Sequence, residues 1–351
     1  MIFPNDSQVD IRKLSGIYNN TSATYKFYWF LGILDEVEKG NLVIPKENLF
    51  AKMISIPWYT VNYYRVSFGA QDKIQENTLL LKEHLNLSVS EERFKIEKYL
   101  LKSTNQKVKR LLWHFNKNVP YKFLSPWIGS NNDSAAKRKS KVPANGCPYI
   151  LEDDRIIVRE EWATYFKTHA RILRDYTWWN LIEFLQKRNP GIPDIPIKLI
   201  KPATRENLKP YRDQYWSIYL DTFPDTRCIF SGEILTLDSY QVDHFIPHSF
   251  MPQNQVWNLV PISDRFNLQK SNSVPDLDQY FQPFFNLQKD AFKHLSTILS
   301  ARQLKRYRNE FLSVYNTDEA LANFSMEPLR DTIAPQVTVA LNNGFQKLTI
   351  P

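Results

Sequence analysis

The stretch CIFSGEILTLDSYQVDHFIPHSFMPQNQVWNLVPISDRFNLQKSNSVP, Cys228 to Pro275, holds the densest set of chemically informative residues in the chain. Cys228 to Phe230 is a short β-type run that turns at Ser231-Gly232. A second extended piece, Tyr240 to Phe245, is expected to pair with it as a hairpin and carries the adjacent Asp243 and His244. A loop with Pro247 and Pro252 follows. After Asn258-Leu259-Val260-Pro261 a helix is expected, with Pro261 or the residues after it in the first turn, where proline's missing N–H is tolerated. That helix brings Asn267 and Lys270 forward and ends at Ser271-Asn272. The expected order is strand, strand, helix, with a catalytic centre between about Arg227 and Pro275.

Such an arrangement suits hydrolysis. Adjacent strand residues point to opposite faces, so Asp243 is free to address a metal while His244 addresses a water. An Asp243 carboxylate and an Asn267 carbonyl are hard oxygen ligands. They suit one divalent ion, Mg²⁺ first and Mn²⁺ or another divalent ion second. Neutral His244 is a candidate general base, because an imidazole titrates near operating pH. Asn258 offers a side-chain carbonyl to hold the second imidazole nitrogen and fix its tautomer.

In this order the segment resembles the ββα-metal motif of the HNH nuclease superfamily, and in spacing it is most similar to the HNH domain of the RNA-guided CRISPR nucleases. The matching elements are His244 in DHFIPHS, Asn258 in WNLVP and Asn267 in RFNLQKSN, with the Asp-His pair, the Pro three residues after the His and the final N-x-x-K-S. The resemblance implies His244 as general base, Asp243 and Asn267 as metal ligands and Asn258 as the residue orienting the histidine. It also implies Lys270 as a lysine near the scissile phosphate. His248 stands between two readings, a phosphate contact and a plain surface histidine. Many relatives hold a structural zinc on two CxxC knuckles. Here Cys228 has Ser231 where a second thiol would stand, so structural zinc is not expected, and burial of Phe230, Phe245, Phe250 and Trp257 must stabilise the motif instead.

The resemblance covers about residues 209–290. For the whole chain the expected class is α+β and predominantly α-helical. A helical region over 1–128 is read as recognition or regulatory. A basic flexible loop or linker over 129–154, with Lys137, Arg138, Lys139 and Lys141, is either a nucleic-acid clamp or a solvated loop. A long helix and Pro-rich connection fill 155–205, the HNH domain 206–290, and closing helices 291–351. Within the third segment Glu160 to Arg188 reads as one amphipathic helix, its Trp178-Trp179 pair as core.

Composition sets the frame. With 351 residues, 43% hydrophobic and 14% aromatic, the chain can build a core, and its 9 glycines hold no GxGxxG or GxxxxGK[ST] run. A net charge of +8 suits a polyanionic partner. Cys147 and Cys228 are the only cysteines, which excludes a disulfide framework and favours reduced thiols in a cytoplasmic protein. No signal-peptide or membrane-spanning run is present, so no membrane partner is expected.

The expectation is a metal-dependent endonuclease that hydrolyses DNA phosphodiesters, double-stranded DNA being the expected partner, in restriction or anti-phage defence. A protein partner or activator is left open. The alternatives are a DNA- or partner-binding protein on an inactive HNH scaffold and a mobile-element or homing nuclease.

Overall fold

The computed structural model describes residues 3–129, 132–201 and 207–349. These fall into two compact units, Met1–Pro190 and Gly191–Pro351. The expected boundary at 205/206 lies outside the described residues, as do Ser130 and Asn131 of the expected basic loop. The described residues are mostly helical with two small sheets, an α+β composition. Among them, no helix is long and apolar enough to cross a membrane.

In the first unit the helix Tyr25–Glu38 is buried along nearly its whole surface, as YKFYWFLGIL without a polar face demands. Helices Lys46–Ser55, Glu160–Thr168 and Ala170–Arg188 pack on it. Pro57 separates Lys46–Ser55 from Trp58–Asn62, as proline's missing donor and ring clash require. β1 (Val43–Pro45), β2 (Tyr149–Leu151) and β3 (Arg155–Val158) form an antiparallel sheet in the order β1-β3-β2.

Three expectations here are corrected. The basic stretch is not loop throughout: Asp133–Ser140 is a helix, because Asn132 caps it by accepting from Ala135 N at 3.0 Å and Lys137 pairs with Asp133 at 2.7 Å. The helix over Glu160 to Arg188 is two helices meeting at His169, since periodicity alone cannot separate two pieces that bury faces in one core. Trp179 is 59% exposed and does not belong to that core.

In the second unit the helical run Lys209–Thr222 includes a π-helical turn over Arg212–Trp216. β4 (Tyr240–His244) pairs antiparallel with β5 (Leu259–Ser263), placing Asp243 opposite Val260 and His244 opposite Leu259. Helix Asp264–Lys270 follows directly, then Leu277–Ile298 and Ala301–Tyr315. The hairpin partner is thus corrected. Cys228 to Phe230 folds back on itself, with Cys228 N–H donating to Glu233 O at 2.8 Å around Gly232 at φ 73°. The apolar Leu259–Ser263 takes the place beside β4, and Pro261 is tolerated because a two-stranded sheet asks for hydrogen bonds on one side only. The helix starts at Asp264, three residues after Pro261, with the Ser263 hydroxyl capping it by accepting from Phe266 N.

Phe230, Phe245, Phe250 and Trp257 are all buried. Phe245 stacks on Phe284 of Leu277–Ile298 at 4.1 Å, and Phe230 stacks on Phe266 at 5.5 Å. Buried Gln288 on the same long helix donates to Val256 O and Leu259 O, tying the entry of β5 to that helix.

Candidate active site

Alternation along β4 divides its side chains. Tyr240, Val242 and His244 are buried, whereas Gln241 is exposed and Asp243 is partly so. The short helix Asp264–Lys270 packs on both strands and supplies a partner to each of the latter two. Asn267 donates its amide nitrogen to Gln241 Oε1 at 2.6 Å. Lys270, with no exposed side-chain surface, donates to Asp243 Oδ2 and to the His244 carbonyl, each at 2.7 Å. The lysine expected near a phosphate is therefore a buried counter-ion of the expected metal ligand. Burial would push the Asp243 carboxyl up, but the Lys270 ammonium, with His244 beside it, outweighs burial and holds it well below the ordinary carboxylate range.

The His244 ring is buried. Its Nε2 lies 2.9 Å from Asn254 Oδ1, and its Nδ1 lies 3.9 Å from Asp243 Oδ1 with no hydrogen-bond partner of its own. An oxygen acceptor on Nε2 places the ring proton there and leaves Nδ1 as the unprotonated nitrogen. His248 packs edge-on against this ring at 5.1 Å and is buried, which corrects the surface-histidine reading.

Asn258 does not reach the imidazole. Its Oδ1 accepts from Ile246 N at 2.8 Å and its Nδ2 donates to Ile246 O at 3.2 Å, clamping the backbone just beyond His244. The residue on the histidine is Asn254, which lies in a loop whose sequence carries no local signal for this contact. Its own carbonyl accepts from the Tyr211 hydroxyl at 2.6 Å, and Arg306 donates to that hydroxyl at 2.7 Å. Val256 N–H donates to Glu310 at 2.6 Å. The loop's QNQV offers no pattern marking these contacts, which come from helices 40 or more residues away in sequence.

Lys137, Arg138, Lys139 and Lys141 lie in the first unit. Lys137 pairs with Asp133 and Asp153, and Lys139 donates to Ile128 O, while Arg138 and Lys141 are exposed.

No group of three or more His, Cys, Asp or Glu side chains suited to a metal exists among the described residues. The donor set at Asp243 and Asn267 still fits an ion that keeps most of its water. Asp243 is ionised, and Lys270 occupies only its Oδ2. Asn267 spends its nitrogen on Gln241, which commits its carbonyl oxygen to the acceptor role. The partnerless Nδ1 of His244 faces the same carboxylate.

Comparison with known proteins points to the same segment of the chain. Residues 228–276 match the HNH endonuclease family. Over 177 residues, 47% of this chain, it is 27% identical to the CRISPR-associated endonuclease Cas9 of Streptococcus mutans serotype c (strain ATCC 700610 / UA159), and the match spans only 12% of that protein's length. No solved structure matches the chain. The chain carries a domain of the HNH endonuclease superfamily, whose nucleases typically use a divalent metal.

Proposed function

We propose that this chain is a metal-dependent endonuclease hydrolysing DNA phosphodiesters on a ββα-metal core formed by β4, β5 and helix Asp264–Lys270. The observation that carries the reading is the His244 imidazole, bonded through Nε2 to Asn254 and offering an unpartnered Nδ1 beside an ionised Asp243. Nδ1 of His244 accepts the proton of the attacking water as the water oxygen bonds to phosphorus and the bond to the 3′-oxygen breaks. Asp243 and Asn267 are the residues that would hold the divalent ion, Mg²⁺ by the hardness of its ligands, and this ion would stabilise the charge on phosphate and leaving oxygen. Lys270 keeps the Asp243 carboxylate ionised and fixed, and Asn258 clamps the backbone bend just beyond His244. A role in restriction or antiviral defence, in the cytoplasm, fits a nuclease with a separate N-terminal unit.

Plasmid cleavage by the purified chain in Mg²⁺ or Mn²⁺ against EDTA, beside His244→Ala, tests this reading. Metal-dependent cutting that the variant loses supports it. Cutting by the variant at the wild-type rate removes His244 from the chemistry, and absence of both cutting and metal binding in the wild type returns the inactive-scaffold alternative.

A further inference from the structure

Two cavities in the first unit meet at Lys26 and Lys122, and we propose that together they bind a nucleoside phosphate carrying two or more negative charges. The larger, about 820 Å³, is polar, with Lys13, Asn19 and Arg12 on its wall. The smaller, about 360 Å³, has Tyr25, His114 and Val119 on its wall. Asn20, Ser22, Lys26 and Lys122 line both. Each volume lies within the roughly 300–1,000 Å³ typical of small-molecule sites.

The charge of this cleft is unbalanced. Asp10 is the one acid on either wall, and its Oδ1 is taken by Arg12 N at 3.2 Å and Arg12 Nε at 3.3 Å. Among the described residues, neither Lys13 nor Lys122 has a carboxylate within ion-pair distance. Buried Lys26 spends its ammonium on two neutral acceptors, the carbonyls of Ile17 at 2.9 Å and Asn20 at 3.2 Å. Lys73 on the smaller wall is paired with Glu76 at 2.5 Å, so the charge without a carboxylate is that of Lys13, Lys26 and Lys122, and a bound anion relieves the field they maintain. Burial, and after it the Lys122 ammonium, brings Lys26 down to about 8; burial, then Lys117 and Lys73, also lowers His114.

The two chambers differ in what they accept. The smaller presents a fixed aromatic wall: Tyr25 accepts the Lys73 N–H on its hydroxyl at 2.8 Å and sets its ring edge-on to Phe115 at 5.4 Å. A base fits against this wall, with its phosphates directed past Lys26 and Lys122 into the polar chamber. Free nucleotides and the 5′-phosphorylated end of a nucleic-acid strand present this same chemistry.

Fluorescence anisotropy on the full chain in EDTA, where cleavage does not enter, separates the two sources. The probes are N-methylanthraniloyl-ATP and one 3′-labelled single-stranded oligonucleotide carrying either a 5′-phosphate or a 5′-hydroxyl. Nucleotide binding identifies a free ligand; tighter binding of the 5′-phosphorylated strand than of its 5′-hydroxyl twin identifies a strand end. In either case Lys122→Ala and Lys13→Ala weaken binding at least tenfold, and Lys122→Arg stays within about threefold of wild type. Both lysines are half-exposed, and thermal melts confirm that the variants fold. The proposal is overturned if no probe binds, if the two strands bind equally while the nucleotide does not bind, or if folded Lys122→Ala and Lys13→Ala bind as wild type does. None of these outcomes depends on cleavage at His244.

Discussion

Lys270 reaches from the last turn of helix Asp264–Lys270 to Asp243 Oδ2 and to the His244 carbonyl, both at 2.7 Å, from a position with no solvent-exposed side chain. One ammonium thus fixes the carboxylate and the backbone of the residue next to it, and couples the helix to β4.

Lys270→Met should therefore cost stability before it costs chemistry. Removing one member of a buried pair costs about 3–5 kcal/mol, and Asp243 keeps 19% of its side-chain surface in water, so a loss of about 2–3 kcal/mol is expected. Urea denaturation reads it directly. A variant as stable as wild type would show that the pair contributes nothing to folding.

Asn258→Ala separates two roles for that residue. If it braces Ile246 through two buried hydrogen bonds, its loss costs roughly 2–3 kcal/mol and leaves the turnover of the folded fraction within a few-fold of wild type. If instead it orients the imidazole, kcat falls with little loss of stability. A denaturation curve beside a cleavage rate measured well below the melting temperature decides between them.

Asn254→Ala should behave in the opposite way. The imidazole loses the partner on Nε2 that places its proton, so kcat is expected to fall roughly 10- to 100-fold at unchanged KM, with a modest change in stability. A rise in KM at constant kcat would assign Asn254 to substrate binding.

These two asparagines also show what was legible in sequence. Asp243 and His244 on β4, and Asn267 and Lys270 on helix Asp264–Lys270, are legible because each pair sits in a short local motif, Asp-His and N-x-x-K-S, in the order the HNH resemblance implies. The contacts of Asn254, Tyr211, Arg306 and Glu310 depend on how distant helices pack, which no local pattern encodes. The strand partner of β4 is hidden for a related reason. Pro261 signals a helix start, but Val260, Ile262 and complete burial make Leu259–Ser263 a strand, and its pairing with β4 spans the whole intervening loop. In the N-terminal half the helix Tyr25–Glu38 and the break at Pro57 follow from composition. The cap at Asn132 was hidden in a stretch whose lysines and small residues read as loop.

Lys198 carries a pH prediction. It is buried, donates to Pro193 O at 2.6 Å and to Phe250 O at 2.5 Å, and burial, opposed by Asp194, lowers its pKa to about 7. Between about pH 7 and the ordinary lysine value near 10.4, the unfolded chain holds a proton that the folded chain releases. Stability from this group therefore rises with pH across that window, by at most about 1.4 kcal/mol per pH unit, and the advantage fades as pH falls toward 7. Unfolding midpoints of wild type and Lys198→Met from pH 7 to 10 should show the rise in the difference between the two proteins. A constant difference would mean that Lys198 stays charged in the fold.

Asn267 stands at the margin of the site, half-buried, with its amide nitrogen on exposed Gln241 and its oxygen left for a ligand. As a metal ligand, Asn267→Ala should raise the Mg²⁺ concentration needed for half-maximal cleavage by roughly 10- to 100-fold, a loss of the size seen when metal sites are weakened, with excess metal partly restoring the rate. Asn267→Asp keeps a hard oxygen and adds charge, so it should need no more metal than wild type. Gln241→Ala removes only the hydrogen bond that turns the amide and should shift the requirement by a smaller factor. Metal titrations of cleavage for the three variants rank these effects. An Asn267→Ala protein with the wild-type metal requirement would take Asn267 out of the ligand set and leave Asp243 as its sole proposed protein ligand.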